Sequence, residues 1–403
     1  MLSDSQREEA ERAIVELADR RLSVAEVRDV KKAFGEDESG QQLANAVLSS
    51  AALQSKARAK LGDGLWWVTE KSLQQATPWQ AAEWKATCFQ GNRVQDCCCG
   101  IGGDAVALSQ RGPLTAIDSD QTIAMMAAAN LNNHGGTNAS VTIANVETQT
   151  IASDSFLHID PDRRSGQNQH GESTRTTAPD FYRPNWDTVV ALLKQAAGGW
   201  VKLAPTATID PINELKLHRA WISLTGTVRE QSLLTGDLAD TFAAQTQSSP
   251  DFNVHSAVMI DRQGNVQSYS GHVQAAVDEA AKPTGYIIDP NAAIRAAGLT
   301  CRFASDHNLQ TLGGPSGYLT GDAEDLTGAV AEPIVWTGSC DDRKLRRELR
   351  SRKMYPKRVK TRGVDQDPNK LEKKLRDCGD QPVTLWIGRA GKKRYAAFTL
   401  TDV

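Results

Sequence analysis

No two of the seven cysteines in this 403-residue chain are spaced as C-x-x-C. Cys97, Cys98 and Cys99 are adjacent, and neighbouring side chains cannot all reach one tetrahedral metal. The odd count also argues against a disulfide framework. The cysteines therefore read as small, apolar strand residues in a reducing cytosol, and no metal is expected. No apolar run approaches the length of a membrane span, and Met1 to Glu9 is polar, so neither a membrane segment nor a signal peptide is expected. No repeat period of the solenoid or propeller kind is present. These absences leave a cytoplasmic globular chain with enough length for two or three domains.

Net charge is small, at −3, but it is unevenly spread. Between Arg343 and Arg376 stand fifteen Lys/Arg and four Asp/Glu, a net +11, which leaves −14 for the rest. A segregated basic block on an acidic chain suggests a polyanion partner. Arg346, Arg347, Arg350, Lys360 and Arg362 lie in that block and are candidate substrate-binding residues.

The most informative stretch runs from Val94 to Leu108 and reads as a buried strand, a glycine turn and a helix from Asp104 to about Gln110. Gly100 and Gly102 allow a tight turn and a close approach to a ligand. The helix N-terminus behind them suits an anion. Asp118 ends the next strand, where an acidic residue can accept hydrogen bonds from both ribose hydroxyls of a nucleotide cofactor. Gly100-x-Gly102-x-x-Ala105 also fits a dinucleotide fingerprint. Asp96 tips the balance, because an acidic residue there can hold the cationic amino group of S-adenosylmethionine. Cys98, Ile101, Asp104, Ser119 and Val146 flank these positions and complete the candidate cofactor set. Thr77 is a candidate contact too, although Thr77-Pro78 also reads as an N-cap and first helical residue.

In chain order, residues 1–75 read as a helical extension, with Ser3 capping a helix over Gln6–Arg20 and a second helix over Leu43–Leu61. Residues 76–275 alternate short strands and helices, which specifies a doubly wound α/β sheet. Its later elements are strands at Ser140–Ala144, Phe156–Ile159 and Gly199–Leu203, a helix over Trp186–Ala197, and strands at Trp221–Leu234 and Ser256–Ile260. Ser165 to Pro179 is polar and reads as a loop. Residues 276–403 form a small basic α+β domain. From Trp336 its helices are capped by Asp341 or Asp342 and by Asp367-Pro368, a strand covers Met354–Lys360, and a hairpin turns around Ala390-Gly391.

Asp160-Pro161-Asp162-Arg163-Arg164 follows the Phe156–Ile159 strand, at the end where open α/β sheets place their chemistry. The Asp160 carboxylate and the Pro161 carbonyl can orient an exocyclic amine that attacks the methyl of a sulfonium, a reaction that needs alignment more than acid–base power. Arg163 and Arg164 can bind phosphate or stack on a base. Tyr182 and Trp186, just beyond, can also stack on a base. His158 lies inside an apolar strand and reads as a core histidine.

Together Leu73-Gln74-Gln75-Ala76-Thr77, Asp96-Cys97-Cys98-Cys99-Gly100-Ile101-Gly102-Gly103-Asp104, the Asp160 to Arg164 loop and Val201-Lys202-Leu203-Ala204-Pro205 resemble bacterial class I S-adenosylmethionine-dependent methyltransferases with a C-terminal THUMP-like domain. Leu345 to Arg350, Lys360 to Asp365 and Ala293 to Leu299 extend the resemblance over nearly the whole chain. The catalytic domain is also similar to trimethylguanosine synthase-type enzymes, which methylate guanine N2. The resemblance implies a Rossmann-like fold, with Asp96, Gly100 and Gly102 at the methionine end and Asp118 at the ribose. It also puts Asn145 against the adenine amine, where many relatives have Asp. Amine methyltransferases of nucleic acids usually carry Asp/Asn-Pro-Pro-aromatic. Here Asp162 and Arg163 stand in the last two places, which keeps the acceptors and removes the usual stacking ring.

The sequence thus reads as a cytosolic RNA methyltransferase, acting on tRNA or rRNA and favouring guanine N2 over adenine N6. A methyltransferase of a protein or small molecule, a non-catalytic RNA-binding protein with a relic cofactor pocket, and an NAD-dependent oxidoreductase are the other readings. Asp96 and the Asp-Pro loop argue against the last of these.

Overall fold

The computed structural model describes residues 3–89, 91–167, 173–274, 276–323 and 325–400. The chain divides into two compact units. The first comprises Met1–Arg219, Glu230–Phe252 and Arg262–Asn265, and the second Ala220–Arg229, Asn253–Asp261 and Val266–Val403.

The first unit is built on a parallel sheet. Its strands are Val94–Cys97 (β1), Leu114–Asp118 (β2), Ala139–Ile143 (β3) and Phe156–Ile159 (β4). Side by side they run β3, β2, β1, β4, then Gly198–Leu203, all parallel. Gln231–Thr235 adds an antiparallel strand beside Gly198–Leu203. The chain moves outward from β1 through β2 to β3, then returns to β4 on the other side of β1. That reversal opens a crevice at the carboxyl ends of β1 and β4, the place where open α/β sheets bind ligands. Both strands bury nearly every position, as expected of strands covered on two faces.

The helical extension packs as one core with the sheet helices. Ala10, Ile14, Val47, Trp66 and Trp67 are buried together with Ile101, Met126 and Ala129. Ser3 caps the first helix, Asp4–Leu17, in a capping box with Gln6. Sequence reasoning overlooked the next helix, Val24–Phe34, although Ser23 and Glu26 form the same Ser-x-x-Glu box there. The single helix expected over Leu43–Leu61 is two, Glu38–Ala52 and Gln54–Leu61, broken at Leu53. Thr77 does not cap the next helix. Pro78 is the N-cap of Trp79–Thr87, which leaves the Thr77 side chain for another use.

Two further expectations need correcting. The loop expected over Ser165 to Pro179 contains two short antiparallel strands, Arg164–Gln167 and Ser173–Arg175. Trp221–Leu234 is not one strand. It is the ends of two, Leu217–Leu224 and Thr227–Thr235, turned at Thr225-Gly226, where both residues have positive φ.

The second unit centres on a seven-stranded sheet. Its order is Gln310–Leu312, Tyr318–Gly321, Tyr286–Pro290, Ala329–Gly338, Lys393–Leu400, Gln381–Ala390, Met354–Thr361. The helices Asp342–Ser351 and Pro368–Leu375 bury Leu345, Leu349, Leu371 and Leu375 with Val383, Leu385 and Phe398, as the four-residue leucine spacing predicts. Among the described residues no helix is long and apolar enough to cross a membrane, and no group of His, Cys, Asp or Glu could hold a metal ion.

Candidate active site

The glycine turn follows β1. Cys98, Gly100 and Gly102 all have positive φ, at 61°, 57° and 84°. The turn is closed by Gly102 N–H donating to the Cys99 carbonyl at 3.0 Å. A Cβ added at Gly100 would meet nothing within 4 Å, so the turn faces open space there. The Gly100 N–H donates to Asp118 Oδ2 at 3.0 Å, and the Asp120 N–H donates to Asp118 Oδ1 at 3.0 Å. Two backbone donors thus fix a half-buried carboxylate beside the turn, and each oxygen keeps a lone pair for a hydroxyl. Burial nevertheless pushes the Asp118 carboxyl up. Ser119 is exposed next to it.

The N-terminal extension holds this turn from behind through Asn130. The Asn130 amide oxygen accepts the Trp67 N–H at 2.7 Å, and its nitrogen donates to the carbonyls of Trp67 at 3.0 Å and Ile101 at 2.8 Å. Ile101 itself is buried in the helical core, so its side chain offers nothing to a ligand. The thiol of Cys98 is pushed well up by burial and is inert as a nucleophile.

Under the turn runs a buried chain of charge. Lys85 Nζ lies 3.3 Å from Glu230 Oε1 and 2.8 Å from Asp104 Oδ1. Thr77 Oγ1 donates to Asp104 Oδ2 at 2.6 Å and accepts from Lys202 Nζ at 3.0 Å. Lys202 Nζ then donates to Asp160 Oδ2 at 2.6 Å. Burial opposes the charge of Asp104, but Lys85, His158 and Lys202 together outweigh it and hold the carboxyl well below the usual carboxylate range. Burial also opposes the Lys202 ammonium, but Asp160, Glu230 and Asp104 together outweigh it, so Lys202 is raised and stays charged. Thr77 and Asp104 were expected to touch cofactor. The structure commits both to this internal chain.

Asp96 is also internal. It is 1% exposed, and its Oδ1 lies 2.6 Å from His158 Nδ1 on the neighbouring strand β4. A cofactor amine therefore finds no open Asp96 oxygen. Asn145 is exposed, and its amide oxygen accepts the Glu147 N–H at 3.0 Å as the cap of a short turn that buries Val146.

Asp160 stands at the end of β4 with its side chain 28% exposed, and Pro161 beside it is buried. Asp162 is exposed and pairs through its backbone with Arg183, in both directions, at 2.9 and 3.0 Å. Arg163 is half-buried. Arg164 begins a short strand, and its side chain lies outside the described residues. Tyr182 is not a stacking face: it is buried in the sheet core, and its hydroxyl accepts the Ala204 N–H at 3.2 Å. Trp186 packs partly against the same core. The exposed aromatic is Phe181, at 63%, two residues from the Arg183 that braces Asp162.

In the second unit Arg343, Arg346, Arg347, Arg350 and Lys374 line an open cleft of about 560 Å³, together with Asp342. Arg347 and Arg350 are exposed, and Arg346 donates to the Lys374 carbonyl at 3.2 Å. Lys360 and Arg362, expected to meet substrate, turn inward instead. Both pair with Asp289, Lys360 lies over the Trp386 ring at 4.1 Å and Arg362 over Tyr318 at 4.3 Å. They already have anionic and aromatic partners, which removes them from the free cations offered to a polyanion.

Sequence reasoning missed Lys85, Lys202, Glu230, Asn130 and Phe181. A lysine in the apolar run Trp200-Val201-Lys202-Leu203, and another between Ala82 and Ala86, were the available signals, because lysine is almost never buried without a partner.

No family model matches the chain. An uncharacterized S-adenosylmethionine-dependent methyltransferase of Mycobacterium tuberculosis, represented by two strains, is 29% identical over 366 residues, covering 86% of this chain and 92% of its own. A crystallised protein of Porphyromonas gingivalis W83, assigned as a methyltransferase by name, superimposes over 100% of both chains with a TM-score of 0.74 at 15% identity. The fold is thus the Rossmann-like fold of class I methyltransferases.

Proposed function

We propose that this S-adenosylmethionine-dependent methyltransferase acts on RNA, at an exocyclic base amine, with guanine N2 favoured over adenine N6. The observation that carries the reading is Asp160, an acceptor fixed at the switch point of the sheet. The residues fit the cofactor. Gly100 borders open space, Asp118 is held as a ribose acceptor, and the buried chain contains three carboxylates and two ammonium groups. That leaves one negative charge beside the turn, which suits a cationic ligand. When bound, the cofactor supplies an electrophilic methyl on a sulfonium.

Asp160 and the Pro161 carbonyl orient the acceptor amine, and no strong base is needed for alignment to raise the rate. Phe181 takes the stacking role vacated at position 163, because it is the exposed ring beside the loop. The arginine cleft holds RNA phosphates, where a bidentate guanidinium is well matched. In this reading residues 1–75 shape the cofactor loop, 76–275 carry out transfer and 276–403 hold RNA. The free thiols, several raised by burial, suit a reducing cytosol.

The test is transfer of labelled methyl groups from S-adenosylmethionine to total RNA of cells lacking the protein, followed by mapping of the modified base. Labelling of protein or small molecules with none in RNA would overturn the RNA assignment.

A further inference from the structure

We propose that Lys202 is a positioning residue for methyl transfer: it holds one oxygen of Asp160 so that the other faces the acceptor amine. The inference rests on the reading of Asp160 given above.

Lys202 sits in the Gly198–Leu203 strand, which is buried at every position and lies directly beside β4. Its ammonium has two fixed partners, Thr77 Oγ1 at 3.0 Å and Asp160 Oδ2 at 2.6 Å. The direction of these bonds is forced. Asp104 accepts the Thr77 hydroxyl proton, so Thr77 can only accept from Lys202. Lys85 holds Asp104, and Glu230 holds Lys85, both without solvent. The anchor behind Lys202 is therefore rigid, and its only partly exposed end is Asp160. Asp160 Oδ1 has no protein partner among the described residues. Lys202 thus removes one oxygen from competition and leaves a single acceptor of fixed direction.

This arrangement differs from a salt bridge that only stabilises the fold. A structural lysine would be satisfied by carboxylates buried with it. This one spends its shortest bond on a carboxylate that reaches the ligand crevice.

The experiment is single-turnover transfer of labelled methyl from S-adenosylmethionine to total RNA of cells lacking the protein. It uses wild type, Lys202→Met, Lys202→Arg, Asp160→Ala and the Lys202→Met/Asp160→Ala double variant, with S-adenosylhomocysteine affinity measured beside each. Lys202→Met is expected to lose about 10- to 100-fold in rate at near-unchanged affinity, as the loss of a hydrogen bond between charged groups would give. Lys202→Arg, which keeps a cationic donor toward Asp160, should recover part of the rate. In the Asp160→Ala background, removing Lys202 should cost nothing further, because it acts through Asp160. If the Met variant does not fold, Lys202→Gln, which keeps a donor toward Thr77, is held to the same criteria. A wild-type rate without Lys202, or losses that multiply in the double variant, overturns the inference and leaves the Asp160 reading standing. A wild-type rate in Asp160→Ala overturns that reading itself.

Discussion

Asp96 and His158 face each other on neighbouring strands with Oδ1 and Nδ1 2.6 Å apart, and the other oxygen and nitrogen of the pair are buried with no hydrogen-bond partner among the described residues. A buried pair of this kind ties stability to pH. Burial alone would lower the histidine, but Asp96 outweighs it and His158 is raised. Asp96 is itself raised, because burial outweighs His158 there. A group raised in the folded state contributes stability that is full below its unfolded pKa, about 6.5 for histidine, and is lost as pH rises through the folded value. Asp96 has the same sign, with its window opening near pH 4. The melting temperature should therefore fall as pH rises above about 6.5. The slope should be shallower in His158→Gln, measured by thermal melts across that range. Equal slopes in the two proteins would mean that the pair does not titrate there.

Asn130 predicts a link between the N-terminal helices and the cofactor loop. Its amide makes three buried hydrogen bonds, two to Trp67 and one to Ile101, inside the glycine turn. Asn130→Ala leaves the Trp67 N–H unpaired and should cost about 3 kcal/mol in a urea melt. It should also weaken S-adenosylhomocysteine binding, read by calorimetry, because the Ile101 carbonyl loses its anchor. Lower stability with unchanged affinity would confine Asn130 to the fold.

Phe181→Ala should raise the apparent KM for RNA while leaving S-adenosylhomocysteine affinity intact. A stacked base is worth about 1–3 kcal/mol by alanine substitution. Phe181→Trp should restore it. The ring is 63% exposed, so the substitution removes little packing and stability should hardly change. An unchanged KM would return the stacking role to Arg163.

The strand–turn–helix of the glycine loop was legible because its pattern is local. The short buried β1, the positive-φ glycines and a helix start are all set within about ten residues of chain. Asp118 and Asp160 were legible for the same reason, since each ends an apolar strand. The buried charge chain was not legible. Lys85, Asp104, Thr77, Lys202 and Glu230 come from five separate segments, and only the sheet order brings them together. Tyr182 and Phe181 show the limit at a single step of chain. Composition cannot tell which of two adjacent aromatics turns inward, and here it is the tyrosine, whose hydroxyl meets Ala204 N–H.

The arginine cleft separates cations by what they already hold. Arg343, Arg347 and Arg350 are exposed on the Asp342–Ser351 helix, whereas Lys360 is half-buried against Asp289 and the Trp386 ring. Counterion release makes the salt dependence of RNA binding a count of phosphates neutralised. Replacing Arg343, Arg347 and Arg350 by Ala should flatten the slope of log affinity against log salt by about 0.7 for each single-strand phosphate no longer neutralised. The effect should be nearly independent of RNA sequence, because phosphates carry no base information. Lys360→Met should leave the slope unchanged, since that ammonium spends its charge on Asp289, where Arg362 remains to pair the carboxylate. Filter binding at four or five salt concentrations measures both variants. If Lys360→Met flattens the slope as much as the cleft substitutions do, the inward pairing of Lys360 opens when RNA binds, and the cleft is not the main phosphate site.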